Sequence, residues 1–165
     1  MLKFGLPDIC IENLSCHSNQ NIASLINLTA QTLLDKKAIN KKGKLYSSDF
    51  PYFRLKEPEK YIGALVDRDI YKNWELEIEG DSVNIPRFLN SIEKIDLFHY
   101  DSDKSYGGKL KTFELVRPKL SINSVVIFDD IQDDNFFKNL VVKNNYQFKI
   151  FKVDGKFIGL IESIK

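Results

Sequence analysis

Apolar positions recur along the chain in short runs whose spacing switches between period two and helical period, with polar, Gly or Pro residues between them. Asp8 to Ile11 is a short apolar run that predicts a first strand, followed by a polar loop from Glu12 to Ser18. From Asn19 to Leu34 the residues Ile22, Leu25, Ile26, Leu33 and Leu34 share one helical face behind Ser18, a suitable N-cap. Leu45 to Ser48 predicts a second strand that ends in Asp49, which makes the opening a β-α-β unit. Phe50 to Asn73 mixes aromatics and two prolines without one clear period and reads as an ordered loop with a short helix.

Trp74, Leu76 and Ile78 alternate with Glu75, Glu77 and Glu79 before Gly80-Asp81-Ser82, the pattern of a strand with one buried face and a turn. Val83, Phe88, Leu89 and Ile92 give a short helical stripe, and Ile95 to Tyr100 the next strand. Leu110, Phe113, Leu115 and Val116 mark a helix stopped near Pro118, and Val125 to Phe128 a further strand ending in Asp129-Asp130. After a helix around Asn135 to Val142, Asp154-Gly155 stands between two strand-like runs, a strong hairpin signal. Five β-α alternations closed by a hairpin predict one domain over residues 1–165, a three-layer α/β fold with a mostly parallel sheet and an antiparallel C-terminal hairpin at its edge.

Composition narrows the function classes. The 165 residues carry 24 Lys plus Arg against 23 Asp plus Glu, and this balance lacks the basic excess of a chain that tracks phosphate backbones, so no nucleic-acid partner is expected. The two cysteines, Cys10 and Cys16, have neither disulfide-framework nor zinc spacing, which fits a reducing, cytoplasmic location. The first residues lack the apolar core of a signal peptide, and no window approaches the roughly 18 apolar residues of a membrane helix.

In open α/β sheets ligands gather at the carboxyl ends of the strands, and here those ends carry Glu12, Asp49, Asp81, Asp101, Asp129 and Asp130. Acids in that place suit hydroxyls, amines or a cation, whereas a pyrophosphate site would call for glycines and a lysine at a helix N-terminus. Asp49, at the end of a second strand, is placed to accept two hydrogen bonds from a ribose diol; Asp67 and Asp69 are rivals with too little chain before Trp74 for an intervening helix. Asp101, Asp129 and Asp130 offer hard oxygen ligands for magnesium or calcium. Lys104, three residues past Asp101, is a candidate general base, since a lysine beside a cation is pushed toward its neutral form. The bland readings stand beside these: a strand-end acid often caps a helix, Asp129-Asp130 could cap the helix that follows, and Lys104 could be a surface charge. His17 and His99 lack metal-ligand spacing.

IDLFHYDSDKSYGG followed by VVIFDDI resembles the class I S-adenosylmethionine-dependent methyltransferases, and in particular the cation-dependent O-methyltransferases of the catechol, caffeoyl-CoA and macrolide-sugar kind. The resemblance implies a Rossmann-like three-layer sandwich. It also implies a magnesium-type ion held by Asp101, Asp129 and Asp130, with Lys104 as the base that deprotonates a small-molecule hydroxyl. S-adenosylmethionine would be bound by Glu12, Asn13, Asp49, Asp81, Ser82 and Asp101. The first motif departs from the family pattern: Glu12 is followed by Asn13, Leu14, Ser15 and Cys16, not by glycines. The N-terminal helices that cover the site in these enzymes have no counterpart before the first strand, so a second copy or a partner subunit would supply the cover. A catalytically inactive methyltransferase-like domain, acting as a binding or scaffold subunit, is the alternative. A nicotinamide enzyme is disfavoured by the missing G-x-G-x-x-G, and a receiver domain by the late position of Asp129-Asp130.

Overall fold

The computed structural model describes residues 11–13, as backbone, and 43–50, 54, 56–62, 74–153 and 155–164. The strands are β1 (Ile11–Asn13), β2 (Leu45–Ser48), β3 (Trp74–Glu77), β4 (Ile95–Tyr100), β5 (Leu120–Phe128), β6 (Gln147–Val153) and β7 (Lys156–Ser163). The helices are α1 (Asp81–Leu89), α2 (Tyr106–Val116) and α3 (Phe136–Asn144), with short 3-10 turns at Pro58–Tyr61 and Arg117–Lys119. The strand expected at Asp8 to Ile11 is described from Ile11 onward only, and the helix expected over Asn19 to Leu34 lies outside the described residues, as do Cys10, Cys16, His17, Asp67 and Asp69. Among the described residues no helix is long and apolar enough to cross a membrane.

The larger sheet has the order β1-β6-β7-β5-β4, and β2 pairs with β3 in a separate parallel ladder. The mostly parallel sheet expected from sequence is corrected here: the five-stranded sheet is mixed, with parallel β1–β6 and β4–β5 pairs and antiparallel β5–β7 and β6–β7 pairs. The hairpin does not sit at an edge. Its second strand, β7, inserts between β5 and β6, and apolar alternation gives no hint of this because alternation fixes which face a residue takes, not which strand it pairs with. β1, β4, β5 and β6 all point the same way, so their carboxyl ends and the β6–β7 turn share one edge of the sheet.

Period-two alternation decides the two faces. Tyr100, Val126, Phe128, Ile150 and Ile161 pack with Phe113 and Val116 of α2 and Phe136, Phe137, Leu140 and Val141 of α3 in the main core. Ile127, Val153 and Ile158 form a smaller cluster, with Val125, Phe151 and Leu160 around it. Phe128 is the hub of the aromatic packing, with ring centroids 5.2 Å from Phe136, 5.9 Å from Tyr100 and 6.0 Å from Phe113. Gly159 lies opposite Phe128 and Ile150 on β7, and a Cβ there would run into the Phe137 ring, so the missing side chain is what lets α3 seat on the sheet.

The helix stripe read from Leu110, Phe113, Leu115 and Val116 is rotated in the structure. The buried face of α2 is Lys109, Thr112, Phe113 and Val116, while Leu110 and Leu115 are exposed. That face keeps the i, i+3, i+4, i+7 spacing of an amphipathic helix with a lysine and a threonine in apolar places.

Candidate functional site

The register of β4 and β5 builds the acidic site. Tyr100 pairs with Phe128 at the strand ends, and the Asp129 amide donates to the Tyr100 carbonyl at 3.0 Å, so Asp101 and Asp129-Asp130 leave the sheet side by side. Asp101, Asp129 and Asp130 each offer an oxygen, and these oxygens lie within 4.8 Å of one another. Asp130 takes a left-handed backbone (φ 48°), an unusual choice for a residue other than Gly, though aspartate tolerates it better than most. That turn is held by the Ile131 amide on the Phe157 carbonyl at 3.0 Å and by Gln132, which donates to Asp130 Oδ1 at 3.2 Å and accepts from the Phe157 amide at 2.8 Å.

DSDKSYGG is an assembly of local devices. Asp103 Oδ1 accepts from the Ser105 amide at 2.9 Å, and Ser105 Oγ accepts from the Gly108 amide at 3.1 Å, which caps α2. Gly108 leaves room for Asp103, whose side chain fills the place a Cβ would take. The turn therefore sends Lys104 back over the acids. Its ammonium hydrogen-bonds Asp101, lies 2.8 Å from Asp130 and sits 3.9 Å from Asp129. Lys156, the first residue of β7, brings a second ammonium 3.4 Å from Asp130 and 3.8 Å from Asp129.

The electrostatics follow from this arrangement. Burial works against the Lys104 charge, but hydrogen bonds to Asp101 and Asp130 outweigh it and hold the ammonium well above the usual lysine range. Burial also works against Asp130, yet Lys104 and Gln132 bring its carboxyl down to about 2. Asp129 goes the other way: burial, then the neighbouring Asp101 and Asp130 charges, raise it. Burial pushes the Tyr100 hydroxyl up to about 12, and this hydroxyl donates to the Asp103 carbonyl at 3.0 Å.

A second group of expected residues forms where β2 and β3 end. The Asp49 amide donates to the Glu77 carbonyl at 2.9 Å, and the Gly80 amide to the Asp49 carbonyl at 3.1 Å, which ties the end of β2 to the start of α1. The Gly80-Asp81-Ser82 turn expected from sequence is the first turn of that helix, entered through Gly80 at φ 86° with no side-chain cap. Ser48 Oγ donates to Asp81 Oδ1 at 2.6 Å and accepts from Asn84 Nδ2 at 3.0 Å; the buried Asn84 also donates to the Glu77 carbonyl at 2.9 Å. Asp49 is exposed, and one of its oxygens accepts from the Phe50 amide at 2.7 Å.

The structure thus joins Asp101, Lys104, Asp129 and Asp130 in one cluster and Asp49, Asp81 and Ser82 in another. Glu12 and Asn13 are described as backbone alone. β1 pairs with β6 at the far end of the sheet order from β4, Glu12 opposite Phe151 and Asn13 opposite Lys152, and the side-chain contacts expected of these two lie outside the described residues. Sequence reasoning missed Lys156, Gln132, Ser48 and Asn84. The Asp-Gly turn just before Lys156 was a usable signal for it, once β7 is known to lie beside β5.

The sequence model of a family described as a methyltransferase domain matches residues 23–131, about two thirds of the chain. This chain belongs to that family. The match ends at Ile131, just past the acidic pair, so it includes both clusters. No curated protein matches the chain. Among solved structures, a methyltransferase from Geobacter sulfurreducens is similar over 78% of this chain with 16% identity and a TM-score of 0.54. This chain spans 62% of that one, less than two thirds of its length. The apo structure of CalS11, a TDP-rhamnose 3'-O-methyltransferase of calicheamicin biosynthesis, is similar over 96% of this chain and 72% of its own, with 16% identity and a TM-score of 0.59. At these identities the likeness establishes a methyltransferase fold.

Proposed function

We propose that this domain transfers a methyl group from S-adenosylmethionine to a hydroxyl oxygen of a small molecule, assisted by a divalent cation of the magnesium type at Asp101, Asp129 and Asp130. The observation that carries this reading is the convergence of three carboxylate oxygens within 4.8 Å at adjacent strand ends of a methyltransferase-family domain. The donor set fits a hard cation: all three ligands are oxygens, and Asp129, raised by burial first and then by the neighbouring Asp101 and Asp130 charges, has a repulsion that a cation would relieve. A divalent ion held by these residues would supply Lewis-acid stabilisation of an acceptor oxygen.

The chain's own residues supply the rest. Asp101 and Asp130 hold the Lys104 ammonium over the cluster; a cation at those oxygens would weaken that hold, so that Lys104 would pass its own proton to solvent and, as the neutral amine, take the acceptor's hydroxyl proton. The acceptor oxygen would then bond to the sulfonium methyl carbon as the carbon–sulfur bond breaks, with S-adenosylhomocysteine as the leaving product. Asp49 would be the acceptor for the ribose diol, and Asp81 and Ser82, in the uncapped first turn of α1, would be the residues that meet the adenine. Holding the two substrates in line provides most of the rate.

One observation favours a second reading, a domain without turnover that serves as a binding subunit: Lys104 and Lys156 already pair with the acids, which gives the cluster a structural purpose. Calorimetric titration of S-adenosylhomocysteine, with magnesium and then with excess chelator, separates the two. Micromolar binding supports the enzyme, and absence of heat under both conditions supports the binding subunit.

A further inference from the structure

Lys109 is a lysine in a core position. It is 1% exposed, on the inward face of α2 between Ser105 and Phe113, where helical spacing calls for an apolar residue. A buried ammonium is costly unless its donors are satisfied, and methionine would fill the same volume without that cost. The Nζ reaches two acceptors, the Asp130 backbone carbonyl and Asp134 Oδ2, each at 3.3 Å. Both belong to the segment that presents the acidic pair. Asp130 adopts the left-handed backbone at the end of β5, and its carbonyl also accepts from the Asp133 amide at 3.3 Å. Asp134 uses its other oxygen to accept from the Phe136 amide at 2.6 Å, at the start of α3.

The buried ammonium therefore joins α2, which begins just after Lys104, to both ends of the 130–134 turn. Without it, Ile131 and Gln132 would tie the turn to β7, and toward α2 there would remain the apolar packing of Ile131 and Phe136, which is non-directional; the carboxylate of Asp130 meets Lys104 and Asp101 only if those two sides stay in register. We propose that Lys109 is a positioning residue that fixes the 130–134 turn against α2 so that Asp130 faces Asp101, Asp129 and Lys104. The consequence for cation affinity rests on the function proposed above; the consequence for the Lys104–Asp130 ion pair does not.

The test compares the wild-type chain with Lys109→Met, which keeps length and removes the donors, and with Asp134→Asn, which weakens one acceptor and covers the case in which Lys109→Met does not fold. Two readouts separate positioning from general stability: the slowly exchanging Lys104 ammonium signal by nitrogen-15 NMR, which reports the ion pair, and Mn2+ affinity by electron paramagnetic resonance. Lys109→Met is expected to keep the wild-type amide protection of β4, β5 and β7, to lose the Lys104 signal and to bind Mn2+ at least tenfold more weakly; Asp134→Asn shows the same changes to a smaller degree. A folded variant that keeps both the Lys104 signal and the Mn2+ affinity overturns the proposal. A wild-type chain with no Mn2+ affinity overturns the cation reading alone, and the Lys104 signal then decides the role of Lys109.

Discussion

Lys104 lies 2.8 Å from Asp130 and hydrogen-bonds Asp101, so one ammonium occupies the place between two of the three carboxylates that would hold a cation. A cation there would compete with the lysine for the same oxygens. Replacing Lys104 by alanine should therefore leave the acids repelling one another, lower the melting temperature by about 3 °C, the equivalent of about 1 kcal/mol, and make magnesium a stronger stabiliser than it is for the wild type. Thermal unfolding with and without magnesium reads both effects. With Lys104 as the proposed base, turnover, where an acceptor is found, should fall by about 100-fold or more.

Asp129 and Asp130 are neighbours with opposite electrostatics. Asp129→Asn should stabilise the chain at neutral pH without added metal, because the ionised Asp129 is disfavoured by burial and by the two adjacent charges. Asp130→Asn should destabilise it by about 1–2 kcal/mol, through the lost ion pairs with Lys104 and Lys156. Chemical denaturation of the two variants in chelator gives the sign of each.

The pH dependence has a defined direction. The folded value of Asp130, about 2, lies below the ordinary 3.8, so its contribution is fully present above about pH 4 and is lost as pH falls toward 2. Asp129, raised in the folded state, regains stability over the acid range as it protonates. The Asp130→Asn chain should accordingly lose less stability than the wild type between pH 4 and 2, and the Asp129→Asn chain should lack the gain that the wild type makes as pH falls toward about 4, as measured by urea midpoints across the acid range.

Gly159→Val should cost about 2–3 kcal/mol, since the new side chain meets the Phe137 ring and α3 must lift from the sheet. Ser105→Ala, which removes the cap of α2, should cost about 1 kcal/mol. Both are read from denaturant midpoints at unchanged slope.

Much of the acidic site was legible because it is local. Each acid follows an apolar run whose alternation defines a strand, and the adjacency of β4 and β5 brings Asp101 and Asp129 together with no further information. The Asp154-Gly155 turn likewise announced the hairpin that β6 and β7 form. Pairing order was not legible: the place of β7 between β5 and β6 depends on contacts distant in sequence, and with it went Lys156 as a second cation at the site. The α2 face was misread for a chemical reason. Lys109 and Thr112 occupy inward positions that a search for apolar residues skips, which turned the expected stripe toward the exposed Leu110 and Leu115. The spacing of Lys109, Thr112, Phe113 and Val116 was the available signal.

The most direct measurement is the Mn2+ dissociation constant of the wild-type chain and of Asp129→Ala, by electron paramagnetic resonance at neutral pH. A cation centre at the ends of β4 and β5 predicts one equivalent of Mn2+ bound by the wild type and at least tenfold weaker binding by the variant. No bound Mn2+ in the wild type, or equal affinity in the two, would contradict it.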